Sequence, residues 1–130
     1  MINFDITFKP GVPIYEQVIF AVKKSIVAGH LKPGDRFPSV REMSRELRIN
    51  PNTAQKVVSH LVNERLLQVK PGIGSVVSEL SLANQEQRGE VLQNEVERLV
   101  VEAKRLSIAK KELLDAVQRQ WDNNNTKETL

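Results

Sequence analysis

The chain of 130 residues has no cysteine, which removes disulfides and thiolate metal sites from consideration and fits a reducing compartment. No stretch approaches the roughly 18 consecutive apolar residues that a membrane span requires. The N-terminus, MINFDITFKP, has neither the charged head nor the apolar core of a secretion signal. Together these absences predict a cytoplasmic protein without membrane contact. Only two histidines occur, His30 and His60, and no Asp, Glu or His spacing around either completes a metal site. There is no P-loop, no G-x-S-x-G and no cluster of carboxylates in an apolar setting. The expectation is a protein that is not an enzyme and carries no metal or cofactor.

Hydrophobic residues make up 40% of the chain and charged residues 27%, proportions that allow one domain with a core, or a small domain plus an appendage. Charge is placed unevenly. Residues 1–80 carry 11 Lys and Arg against 7 Asp and Glu, whereas residues 81–130 carry 8 against 9. A basic N-terminal part joined to a near-neutral C-terminal part suits a DNA-facing module with a second, different segment.

Proline and glycine divide the first part. Pro13 suits a helix start and Gly29 a helix stop, and Ile14, Val18, Val22 and Ile26 recur between them every four residues. Lys32-Pro33-Gly34-Asp35 is a turn signal. Ser39-Val40-Arg41-Glu42 has the S-x-x-E form of a capping box, and its helix places Val40, Met43 and Leu47 on one face. After Arg48-Ile49, Asn50 is a good N-cap and Pro51 a good first helical residue. The third helix then runs to about Arg65, with Ala54, Val57, Val58, Leu61 and Val62 along its apolar stripe. Two β-prone runs, Leu67–Lys70 and Ser75–Ser78, flank Pro71-Gly72-Ile73-Gly74, a hairpin turn. The fold class is therefore mostly α with a small β-hairpin. It comprises a winged helix-turn-helix domain over residues 1–78 and a C-terminal helical dimerisation segment over 79–121, with a frayed tail at 122–130.

In the C-terminal segment, Leu92, Val96, Leu99, Ala103 and Leu106 alternate spacings of four and three, an a/d seam of about two heptads. Gly89 makes the start of this helix ambiguous. Ser107 interrupts it, and Ile108, Leu114, Val117 and Trp121 mark a shorter last helix. The seam and its companions Val117 and Trp121 are read as a homodimer interface; the alternative is packing within one chain.

In a helix-turn-helix the second helix of the pair enters the major groove, and its N-terminal residues meet base edges. Here that end presents Asn52, Thr53, Gln55 and Lys56, with Ser59 one turn further. Asn and Gln suit adenine, Thr offers a hydroxyl or a methyl, and Lys56 suits a phosphate or a guanine. Arg41 can reach a phosphate or a base edge, unless it pairs with Glu42 or Glu46. Arg36 and Arg45 are phosphate candidates. Lys70 adds a charge to the wing, where Gly72 and Gly74 permit positive φ and a close approach of backbone to DNA.

These segments resemble the GntR family of bacterial regulators, and within it the short YtrA-like members. The resemblance spans nearly the whole chain. It rests on Pro13-Ile14-Tyr15-Glu16-Gln17, Gly29 through Asp35, Pro38-Ser39-x-Arg41-Glu42, Asn50-Pro51-Asn52-Thr53 and Gly72-x-Gly74-Ser75-x-Val77, in order and at the right spacing. It implies DNA contacts at Ser39, Arg41, Asn52, Thr53, Gln55, Lys56 and Gly72. It further implies a homodimer on double-stranded DNA, most simply a repressor on an inverted-repeat operator, with control of neighbouring transporter genes as an analogy. Some positions depart from the family pattern. Phe37, Met43 and Ser44 stand where Leu, Leu and Ala are usual, a change expected to affect packing only. Pro51 replaces an arginine that larger members often carry, so their guanine contact does not transfer. Arg65 replaces a glycine, which leaves the exit from the third helix open. A winged-helix protein–protein adaptor or a non-specific architectural DNA binder is the competing reading, and no small-molecule effector is assigned.

Overall fold

The computed structural model describes Phe4, residues 6–78 and residues 85–128, with side chains in the last stretch described for 88–123. The elements follow one another as α1 (Ile14–Val27), α2 (Val40–Leu47), α3 (Pro51–Asn63), β1 (Leu67–Lys70), β2 (Gly74–Val77), α4 (Gln85–Arg105) and α5 (Lys110–Glu128). The chain divides into two compact units, Met1–Ser81 and Leu82–Leu130.

In the first unit α3 packs against both α1 and α2. Its stripe of Ala54, Val57, Val58 and Leu61 is buried and meets Val18 and Val22 of α1, Met43 of α2 and Leu31, Phe37, Leu67 and Val77 in one apolar cluster. Leu61 is fully buried, so its truncation to alanine removes about 2–5 kcal/mol, a large fraction of a small domain's stability. The α1 stripe is wider than its four-residue repeat indicates. Ile19, Ala21 and Ser25 are buried beside Val18 and Val22, because α1 lies against the core over more than one row of side chains.

β1 and β2 pair antiparallel, with Leu67 opposite Val77 and Lys70 opposite Gly74. The segment after α1 lines the other edge of β2: Phe37 N–H donates to Ser75 O (2.9 Å) and Val77 N–H to Asp35 O (2.8 Å). That edge ties the wing to the start of α2. The Phe37 ring also stacks on Phe4, with centroids 6.0 Å apart.

Four helix ends share one device. Gly29 (φ 82), Arg48 (φ 56), Arg65 (φ 64) and Ser107 (φ 59) all take the left-handed conformation after α1, α2, α3 and α4. In each case the next amide reaches back five residues: His30 to Ser25, Ile49 to Ser44, Leu66 to Leu61 and Ile108 to Ala103. This bond satisfies a last-turn carbonyl and turns the chain sharply away from the helix axis. Only Gly29 adopts it without steric cost.

Two expectations change here. The third helix ends at Asn63, with Arg65 already past its end. The last helix continues beyond Trp121 to Glu128, across most of the stretch expected to fray. No proline or glycine interrupts that run, and Gln118 Nε2 donates to Asp122 Oδ1 (3.1 Å) one turn ahead. Gly89, the source of doubt about the start of α4, lies inside the helix. The composition shift at Ser81 and the last two residues of the tail lie outside the described residues.

Within the second unit Ala103 is buried, while Leu92, Val96, Leu99 and Leu106 are exposed, as are Leu114, Val117 and Trp121 on α5. Ala103 is thus already covered within one chain, unlike its seam companions. Among the described residues, no helix is long and apolar enough to cross a membrane.

Candidate nucleic-acid interface

The start of α3 is fixed by local chemistry. Asn52 N–H donates to Asn50 Oδ1 (2.8 Å), Ala54 N–H donates to Asn50 O (3.0 Å), and Pro51 occupies the first helical position. The cap satisfies one of the amides that every helix leaves unpaired at its N-terminus. With Ala54, Val57, Val58 and Leu61 turned into the core, the opposite face presents Asn52, Gln55, Lys56 and Ser59 exposed and Thr53 half-exposed. Gln55 Nε2 donates to Ser59 Oγ (3.1 Å), a contact between neighbours one turn apart that preorders the amide. Lys56 is not a free arm: its Nζ lies 3.8 Å from the centroid of the Tyr15 ring on α1.

The turn between α2 and α3 is closed from both sides. Arg48 supplies the left-handed residue, and Ser44 Oγ donates to Ile49 O (2.7 Å). The expectation that Ser44 alters packing only is therefore incomplete, because its hydroxyl bonds the turn that aims α3. A serine donating to a carbonyl five residues on is invisible to helix periodicity.

At the start of α2 the capping box is formed in full. Glu42 N–H donates to Ser39 Oγ (3.1 Å) and Ser39 N–H to Glu42 Oε1 (3.3 Å). These Ser39 contacts, the backbone N–H first, hold the Glu42 carboxyl below its usual pKa, with a smaller contribution from Arg36. The Ser39 side chain is therefore committed to the cap. Arg41 and Arg45 are exposed on the same helix. The Glu42 carboxylate beside Arg41 is engaged by the Ser39 amide. Arg36 is exposed just ahead of α2.

In the wing, Ile73 N–H donates to Lys70 O (3.1 Å), and Gly72 and Gly74 have φ of 77° and 105°. A Cβ at either glycine would meet nothing within 4 Å, so conformation rather than space demands glycine there. Lys70 is exposed at the end of β1. One contribution escaped sequence reasoning. Gln17 fastens the segment before α1 by accepting from Lys9 N–H (2.8 Å) and donating to Lys9 O and Val12 O (2.9 Å each). The motif around Tyr15 contains Gln17, but only the bonded loop reveals what the amide does.

A three-helix unit with a bonded wing and a polar, capped third helix defines a winged-helix DNA-binding domain. Residues 14–77 match the model for bacterial regulatory proteins of the gntR family. The chain is 30% identical over 114 residues to the uncharacterized HTH-type transcriptional regulator YhcF of Bacillus subtilis, covering 88% of this chain and 94% of that protein. It is 39% identical over 71 residues to the HTH-type transcriptional repressor YtrA of the same organism, where it covers 55% of each. The crystal structure of a transcriptional antiterminator from Listeria monocytogenes EGD-e superposes with a TM-score of 0.79. That likeness covers 93% of this chain and 91% of the other, and at 23% identity it is one of fold. The chain belongs to the GntR family and resembles its YtrA-like members, DNA-binding transcriptional regulators that include repressors.

Proposed function

We propose that the protein is a homodimeric repressor that binds an inverted-repeat operator, with neighbouring transporter genes as its targets. α3 lies in the major groove and reads base edges with Asn52, Thr53, Gln55 and Ser59. Lys56, Arg36 and Lys70 contact phosphates, Arg41 reaches a phosphate or a base edge beside them, and Ser39 and Gly72 approach the backbone. Leu92, Val96, Leu99 and Leu106, with Val117 and Trp121, form the dimer interface, and Ala103 backs it from within each chain. The observation that carries this reading is the division of α3. One face buries Ala54, Val57, Val58 and Leu61, and the other is a row of polar side chains starting at a helix end capped by Asn50. An adaptor has no need of amides and hydroxyls in that row beside Arg41.

The dimer is supported by the exposed apolar residues of α4 and α5, among them Leu92, Val96, Leu99, Leu106, Val117 and Trp121, a set of the kind that marks an interaction surface. Two tethered domains would meet half-sites about 34–36 Å apart, and tethering raises affinity by about 10²–10⁴. The test is a titration of the protein against its own upstream region, with full and half operators, alongside sedimentation. The parent should sediment as a dimer and prefer the full site by that factor. Leu99→Asp, which places a charge in the seam, should sediment as a monomer and bind full and half sites alike. A Leu99→Asp protein that matches the parent in both assays would overturn the dimer assignment.

A further inference from the structure

Tyr15 stands in the first turn of α1, half-buried, with its ring packed against the apolar core. Its place is therefore set by the fold, whereas Lys56 is exposed on a flexible four-carbon stem. The two meet with Nζ 3.8 Å from the ring centroid, well inside the range in which a ring's negative face attracts an ammonium. The Tyr15 hydroxyl is directed elsewhere, donating a long bond to Glu16 Oε1 (3.4 Å). The aromatic face, rather than the phenol, engages the lysine. An ammonium has three donors, and among the described residues the Tyr15 ring is the contact that Lys56 makes, so stacking on the ring leaves donors for a phosphate.

We propose that Tyr15 is a positioning residue for DNA binding: its ring holds the Lys56 ammonium beside the N-terminal end of α3 and commits it to a phosphate contact. The inference rests on the placement of α3 in the major groove. The positive end of the α3 dipole favours the same negative charge, so the ring adds a located cation to a site already biased toward phosphate. Without the ring the charge is retained, but its position is spread over the rotamers of the lysine.

The test uses the full chain and the operator found in its upstream region, with affinity measured across a range of salt. Lys56→Gln should flatten the salt dependence by about one unit of slope, as the loss of one phosphate contact does. Tyr15→Leu should flatten it by a comparable amount although no charge has been removed. The double variant should show no further change, and Tyr15→Phe should behave as the parent. Loss of affinity in Tyr15→Leu at the parent's slope, or losses that add in the double variant, would mean a structural role only and overturn the inference. A direct readout independent of the Leu variant's folding is the Lys56 ε-methylene proton resonance. It should be shifted upfield by the ring in the free parent and remain so on the operator; loss of the shift on binding would overturn the inference. If Lys56→Gln leaves slope and affinity unchanged, the inference fails by itself, while the groove placement is judged separately by operator-selective losses at Asn52 and Thr53.

Discussion

Asn50 and Asn52 are joined across the first turn of α3, the Asn52 N–H donating to Asn50 Oδ1 at 2.8 Å. One asparagine thus fixes where the helix begins, and the other is the first polar side chain the helix presents. Cap and proposed reader are two residues apart, so the height of the reader is set by the cap. Asn50→Ala should cost about 0.5–2 kcal/mol of fold stability in denaturant titration. Affinity for the operator, normalised to the folded fraction, should fall as well. Unchanged affinity per folded molecule would mean that the cap stabilises the helix without aiming it.

Much of this arrangement is legible in the residues alone. The Ser39–Glu42 box, the Asn50-Pro51 start and the Gly72 and Gly74 turn each follow from a side chain or backbone preference acting over a few positions, and each is present in the fold. The features that escape are those in which one residue type does another's work. Arg48, Arg65 and Ser107 occupy left-handed positions that glycine ordinarily marks; the breaks themselves are legible, from Asn50-Pro51, from the family's glycine at position 65 and from Ser107, but the conformation that makes them is not. The Ser44 bond to Ile49 O, the Gln17 loop clamp and the Lys56–Tyr15 contact depend on tertiary placement or on turns that periodicity does not resolve. The end of the last helix escaped for the opposite reason, since three asparagines are poor helix formers yet the chain stays helical through them.

Arg65 provides a test of how the exit from α3 is held. A side chain at φ 64 carries a left-handed penalty of about 1–2 kcal/mol, part of which glycine's greater unfolded-state entropy would offset. Arg65→Gly should therefore stabilise the fold by about 0.5–1 kcal/mol, read as a higher melting temperature, and Arg65→Val should lower it. Destabilisation by glycine would show that the arginine side chain contributes more than its backbone costs.

The Glu42 carboxyl provides a pH signature for the start of α2. Ser39, through its backbone N–H and then its hydroxyl, depresses the folded-state pKa below the ordinary 4.5. A depressed carboxyl contributes stability that is complete above its unfolded pKa and disappears as pH falls through the folded value. Glu42→Gln keeps the size and an acceptor but removes the charge. Denaturant midpoints should therefore differ between parent and variant near neutrality and converge as the pH is taken below the ordinary carboxylate range. A gap that persists unchanged into acid would contradict the capping account.

The most direct test of the central claim compares operator with random DNA for Asn52→Ala and Thr53→Ala. If the exposed face of α3 reads bases, each substitution weakens operator binding by about 1–3 kcal/mol and leaves random-sequence affinity nearly unchanged. Lys70→Ala, in the wing, should instead weaken both together and flatten the salt dependence by about one unit of slope. Equal losses on operator and random DNA for both α3 variants would contradict the account, because α3 would then anchor the protein without reading the sequence.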